Sequence, residues 1–103
     1  MFGQVHGFQW DEGNRAKCQQ HGVSLVEIEG LFSDVLHVAP DPEHSAAETR
    51  FLAVGLTPHG RHVFLAFTIR DSGVQRLIRP ISARFMHAKE VKHYEAQVTK
   101  PEE

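Results

Sequence analysis

The sequence predicts an α+β domain with two short N-terminal helices, a four-stranded antiparallel meander sheet and a C-terminal helix. Three observations carry this reading. Helical signals come first and adjacent strand signals follow, the order expected of an α+β chain. Between Gly60 and Met86, two β-rich runs, Arg61–Arg70 and Gln75–Phe85, flank the turn-forming group Asp71-Ser72-Gly73, which is the pattern of a hairpin with a short glycine-containing loop. At 103 residues the chain is one domain, large enough for a hydrophobic core without disulfide staples. Its core is expected over about residues 8–97, with 98–103 as a frayed tail.

Taken in order, residues 2–10 alternate loosely through Phe2, Val5, Phe8 and Trp10, a short strand leading into the first helix. Asp11 is placed to N-cap that helix, Glu12–His21, and Gly22 to terminate it. The helix is mostly polar, with Ala16 and Cys18 as its small apolar content, so tertiary contacts must hold it. Ser24-Leu25-Val26-Glu27 matches a capping box, and Leu25, Ile28 and Phe32 share a face of the second helix. Val35–Val38 reads as a brief strand, and the prolines of Ala39–Ser45 mark a surface loop. From Glu48 to Thr57, Leu52, Val54 and Leu56 alternate with Phe51 and Ala53; both faces look covered, as in a central strand.

Thr57-Pro58-His59-Gly60 is a turn into the hairpin. In its first strand Val63, Leu65, Phe67 and Ile69 face one way, and Phe64, Ala66, Thr68 and Arg70 the other. Pro80 cannot donate to a ladder, so it marks an edge strand or a bulge just before Ile81. His87–Gln97 closes the domain, with Val91, Tyr94 and Val98 at helical spacing.

Composition narrows the chemistry. The formal charge of −2 provides no global basic field, so any attraction for phosphate must come from local clustering. One cysteine, Cys18, excludes an internal disulfide and fits a reducing compartment. No apolar run approaches bilayer length, and the start MFGQVHGFQW lacks the regions of a signal peptide; a cytoplasmic protein is expected. Eight histidines invite a metal, but none shows a recognised ligand spacing, and solvated loop and strand-end residues explain them more simply. Cys18, near Lys17 and His21, reads as a small packed residue before it reads as a nucleophile. The glycines are spread as turn and cap residues, not gathered into a phosphate loop. No metal or cofactor is expected.

A basic constellation remains: Arg50, Arg61, Arg70, Arg76, Arg79 and Arg84, all on predicted strands. Guanidinium forks suit phosphate oxygens through paired hydrogen bonds. Each arginine alone is an ordinary exposed strand residue, some of them partners for Glu48 or Asp71. Arg70 and Arg84, on adjacent strands of one hairpin, compete as a shared anion site.

These residues also carry a resemblance. Phe8-Gln9-Trp10-Asp11-Glu12 with His21-Gly22-Val23-Ser24 is similar to the opening signature of the BrnT-like toxin family. Glu48-Thr49-Arg50, Gly55, Gly60-Arg61 and Phe67-Thr68-Ile69-Arg70 follow in the family's order, then Arg79-Pro80-Ile81-Ser82-Ala83-Arg84, Glu90 and Tyr94. The resemblance implies a compact RelE-like fold and the toxin of a type II toxin–antitoxin system. That toxin would be a metal-independent endoribonuclease that arrests growth. It implies neutralisation by a BrnA-like ribbon-helix-helix antitoxin, contact with operator DNA only through that antitoxin, and a toxin dimer within the complex.

By the same resemblance Arg70 and Arg84 stabilise the phosphate, and His21 and Glu48 are candidates for proton transfer. Lys17, Arg50, Arg61 and Arg79 are expected to contact RNA. Gln20 stands where many members carry lysine, which implies a weaker grip, with Lys17 the substitute cation one turn back. Two other classes stay open on the residues: an inactive homologue kept as the antitoxin's corepressor, and a small metal-dependent hydrolase using the histidines.

Overall fold

A computed structural model of the protein describes residues 5–44, 48–71 and 73–98. Phe2, Ser45, Ser72, the side chain of Val98 and the tail Thr99–Glu103 lie outside the described residues. The elements run β1 (Gly7–Phe8), α1 (Glu12–Gln19), α2 (Leu25–Leu31), β2 (Leu36–Pro40), a 3₁₀ turn (Pro42–His44), β3 (Arg50–Leu56), β4 (His62–Asp71), β5 (Arg76–Phe85) and α3 (Ala88–Val98).

The sheet has five strands in the order β1-β5-β4-β3-β2, and it is mixed. This corrects the expected four-stranded antiparallel sheet. The additional strand, β1, is two residues long and runs parallel to β5, Gly7 opposite Leu77 and Phe8 opposite Ile78. His6 N–H donates to Arg76 O at 2.8 Å and Gln9 N–H to Ile78 O at 2.8 Å. The loose alternation of residues 2–10 suggests a strand here, but a parallel partner some seventy positions away leaves no local trace. The other pairs are antiparallel, as the meander predicts.

α1 starts where its cap dictates. Asp11 accepts from Asn14 N–H at 3.0 Å, and the Asn14 side chain accepts in return from Asp11 N–H at 2.7 Å. Buried Asn14 also donates to Gln9 O at 3.0 Å and Pro80 O at 2.9 Å, fastening the helix to β5. The capping box of α2 forms as expected, Ser24 with Glu27. Ile28 and Leu31 are the residues that α2 buries most deeply. Gly55 makes room for Leu31 and Leu36: a Cβ there would lie 2.9 Å from both Leu31 Cδ2 and Leu36 Cδ1. Trp10 ties the entry to α1 back onto α2, its indole N–H donating to Glu29 at 2.8 Å.

Cys18, Val23, Ile28 and Leu31 pack with Ala53, Val63, Leu65, Phe67, Ile78 and Ala83 to form the core. α1 and α2 therefore cover one face of the sheet. An irregularity in the strand pairing lies on β5. Ala66 pairs with Ser82, but Phe67 pairs with Pro80, so Ile81 is an extra, bulged residue. Both roles expected for Pro80 are compatible with this arrangement: the bulge follows it at Ile81, and β1 pairs with Leu77 and Ile78 and stops short of Pro80.

Candidate functional site

The face turned away from α1 and α2 is built by strand parity and by the bulge. On β4 it displays Phe64, Ala66, Thr68 and Arg70, each opposite a partner on the same face. One row runs across four strands as His37, Val54, Phe64 and Arg84, and the next as Ala39, Leu52, Ala66 and Ser82. Below them come Arg50, Thr68 and Arg79, then Arg70 with Leu77. Arg79 and Arg84 are an odd number of residues apart and would point to opposite faces of a regular strand. The bulge at Ile81 brings both to this one.

Register also separates what the sequence placed together. Arg84 sits opposite Phe64 and Arg70 opposite Leu77, six residues further along β4. At ~3.3 Å per residue that is about 20 Å, too far for both to hold one phosphate.

Every arginine of this face already has a carboxylate. Arg84 forms two parallel bonds to Glu90 of α3, each 2.8 Å, and its guanidinium lies 5.1 Å from the Phe64 ring centroid. That pair, with His87 N–H donating to the same carboxylate at 3.0 Å, holds Glu90 down at about 2. Arg70 meets Glu48 at 3.1 Å, Arg79 meets Asp11 at 2.8 Å, and Arg50 meets Asp41 at 3.6 Å. Asp11 is lowered chiefly by the Asn14 backbone donor and then by Arg79.

The other sequence-derived site residues belong to the helical side. Lys17 is exposed on α1. His21 is exposed beyond it, its ring 3.1 Å from the Gln20 amide. Arg61 stacks 3.8 Å over Phe85, a residue packed against the core. Thus the structure gathers Arg50, Arg70, Arg79, Arg84 and Glu48 on one face and leaves Lys17, His21 and Arg61 across the sheet. Cys18 is fully buried, and burial pushes its thiol up to about 11, the state of a packed residue and not of a nucleophile. Among the described residues no three His, Cys, Asp or Glu side chains gather as a metal-ligand group.

Sequence reasoning missed the roof of this face. Glu90 and Tyr94 stand one turn apart on α3, so one side of the helix reaches both ends of the top row. Glu90 holds Arg84 while the Tyr94 hydroxyl is hydrogen-bonded to His37 Nδ1. The His62 ring stands edge-on to Tyr94, centroids 5.7 Å apart. Partial burial raises the Tyr94 phenol above its ordinary value. The i, i+4 spacing of Glu90 and Tyr94 was the available signal, but only the sheet register shows what the two side chains reach.

The family described as the ribonuclease toxin, BrnT, of type II toxin–antitoxin systems matches residues 10–90 of the chain. No curated protein matches it. No helix among the described residues is long and apolar enough to cross a membrane.

Proposed function

From its place in the BrnT family of type II toxin–antitoxin ribonuclease toxins, to which the chain belongs, we propose that this protein is a cytoplasmic, metal-independent endoribonuclease. Its substrate strand would lie along the arginine-bearing face of the sheet. The observation that carries this reading is the bulge at Ile81, which sets Arg79 and Arg84 on one face with Arg50 and Arg70. Small residues, Ala66, Ser82 and Thr68, floor that face between its cations.

Metal-free cleavage needs three things at one phosphate. A base removes the ribose 2′-hydroxyl proton as that oxygen bonds to phosphorus, cations stabilise the phosphorane, and an acid protonates the departing 5′-oxygen. Guanidinium groups suit the second task. Arg84 and Arg70 grip two phosphates, one at each end of the face. Glu48, which touches Arg70, and His21, across the sheet, are alternative candidates for proton transfer, since one phosphate cannot engage both. Arg50 and Arg79 contact the strand between the two ends, and Lys17 and Arg61 contact it beyond the β5 edge.

Cleavage of RNA by purified protein in excess chelator tests the reading. Arg84→Ala is expected to abolish it, and a folded Arg84→Ala protein that cuts normally removes the assignment. Between Arg70→Ala and Arg84→Ala, the variant that lowers kcat and not only raises KM marks the scissile phosphate. Glu48→Gln and His21→Ala proteins that cut at the wild-type rate relieve those residues of proton transfer.

The family implies an antitoxin partner. We assign it the BrnA-like ribbon-helix-helix type, with operator DNA reached through it and a toxin dimer within the complex. A second reading, a non-catalytic corepressor module, is favoured by the ion pairs that already occupy Arg50, Arg70, Arg79 and Arg84. Growth arrest on induction without antitoxin supports the nuclease. A harmless protein that still binds its antitoxin supports the module.

A further inference from the structure

α3 does not lie flat on the sheet. Between it and the top row runs a groove of about 560 Å³ whose lining includes Val54, Phe64, Met86, Lys89, His93 and Tyr94. Its volume falls in the range of roughly 300–1,000 Å³ typical of small-ligand sites. The rings of Phe64 and Tyr94 line it, and Lys89, Glu90, His93 and Gln97 supply the polar groups.

We propose that this groove is a binding pocket for a single unpaired nucleobase, stacked between Phe64 and Tyr94, whose phosphate is taken by Arg84; this rests on the ribonuclease reading above. An unpaired base offers flat apolar faces to aromatic rings and a charged phosphate one sugar away. The pocket offers the complement. Phe64 lies directly beneath the Arg84 guanidinium, so one residue serves both the stacking wall and the phosphate grip.

Glu90 does not close the site. Its two bonds use one N–H on each terminal nitrogen of Arg84. The Nε–H and the outer N–H groups are left for phosphate. Glu90 is thereby a positioning residue that fixes the fork against the Phe64 ring. Tyr94 is fixed in turn by His37 and His62, so the second wall is preorganised. A second groove of about 230 Å³ shares Val54, Phe64 and Tyr94 and continues past Tyr94 towards Ala39, giving the strand an exit on that side.

The test uses full-length protein and 2′-O-methyl tetranucleotides, which bind but have no free 2′-hydroxyl to react. Binding is read by anisotropy of a terminal dye. Phe64→Leu keeps an apolar side chain and removes the ring, and should weaken binding about five- to fiftyfold. The same tetranucleotide with abasic sites should bind wild type and Phe64→Leu equally. Should Phe64→Leu fail to fold by circular dichroism, Tyr94→Leu carries the same comparison on the opposite wall.

Equal binding of the base-bearing oligonucleotide by folded variants and wild type overturns the pocket. If that wild type still cuts RNA in chelator, the ribonuclease reading survives alone. Wild type that neither binds nor cuts overturns both. A Phe64→Leu protein that binds normally but escapes neutralisation by co-expressed antitoxin makes the groove a protein-docking surface, and the base pocket falls.

Discussion

Glu90 combines three tasks in one carboxylate. It pairs with Arg84, accepts from His87 N–H at the start of α3, and so fixes the helix over the sheet. Its folded value, about 2, lies below its ordinary 4.5. A depressed carboxylate contributes stability that is fully present above its unfolded value and is lost as pH falls through the folded one. The window is therefore pH 4.5 down to about 2. We expect α3 to detach in that window, read by near-UV circular dichroism of Tyr94, the chain's one tyrosine. Glu90→Gln should show no such transition, and an unaltered transition in that variant would refute the role. Cys18 gives a second residue-scale expectation. Buried and with a thiol pushed up to about 11, it should resist iodoacetamide at pH 8 until the protein is unfolded.

At the scale of elements, the joint between α1 and β5 depends on Asn14. Its amide donates to Gln9 O and Pro80 O while its oxygen completes the cap with Asp11. Asn14→Ala keeps the Asp11 cap on the backbone N–H but removes the reciprocal half of the capping box and leaves the Pro80 carbonyl beside the bulge without its donor, a loss of about 1–3 kcal/mol in urea unfolding. Asn14→Asp keeps the accepting oxygen but turns a buried carboxylate oxygen towards the Gln9 and Pro80 carbonyls, and should lose at least as much as Asn14→Ala. From sequence Asn14 was one more polar residue of a polar helix, because burial of a side chain that bonds three backbone groups has no local signature. What was legible was whatever repeats locally. The alternation of Val63 to Arg70, the Ser24–Glu27 box and the choice between an edge and a bulge at Pro80 were all readable before any coordinates. What was illegible depended on partners outside one local repeat: β1 beside β5, Tyr94 on His37, and Glu90 on Arg84 across the junction of β5 with α3. The site was half readable for the same reason. Residue type marked the arginines, but only the bulge decides that Arg79 and Arg84 share a face, and only register shows Arg70 and Arg84 to be far apart.

For the whole molecule, the charge of −2 means that RNA is not drawn in by a long-range field. Binding must come from local neutralisation of phosphates, and for single strands each one neutralised contributes about 0.7 to the slope of log K against log salt. This yields a measurement that separates two arrangements of the same residues. If Arg70 and Arg84 hold different phosphates, each alanine substitution flattens the slope by about 0.7 and the double variant by about 1.4. Their separation of about 20 Å makes such additivity the expectation. If they share one phosphate, the second substitution adds almost nothing. Arg15→Ala, exposed on α1 across the sheet, should leave the slope unchanged. Titrating uncleavable RNA into the wild type, the two single variants and the double variant at several salt concentrations decides the matter. A double-variant slope equal to that of either single variant would return both arginines to one site and contradict the register of β4 with β5.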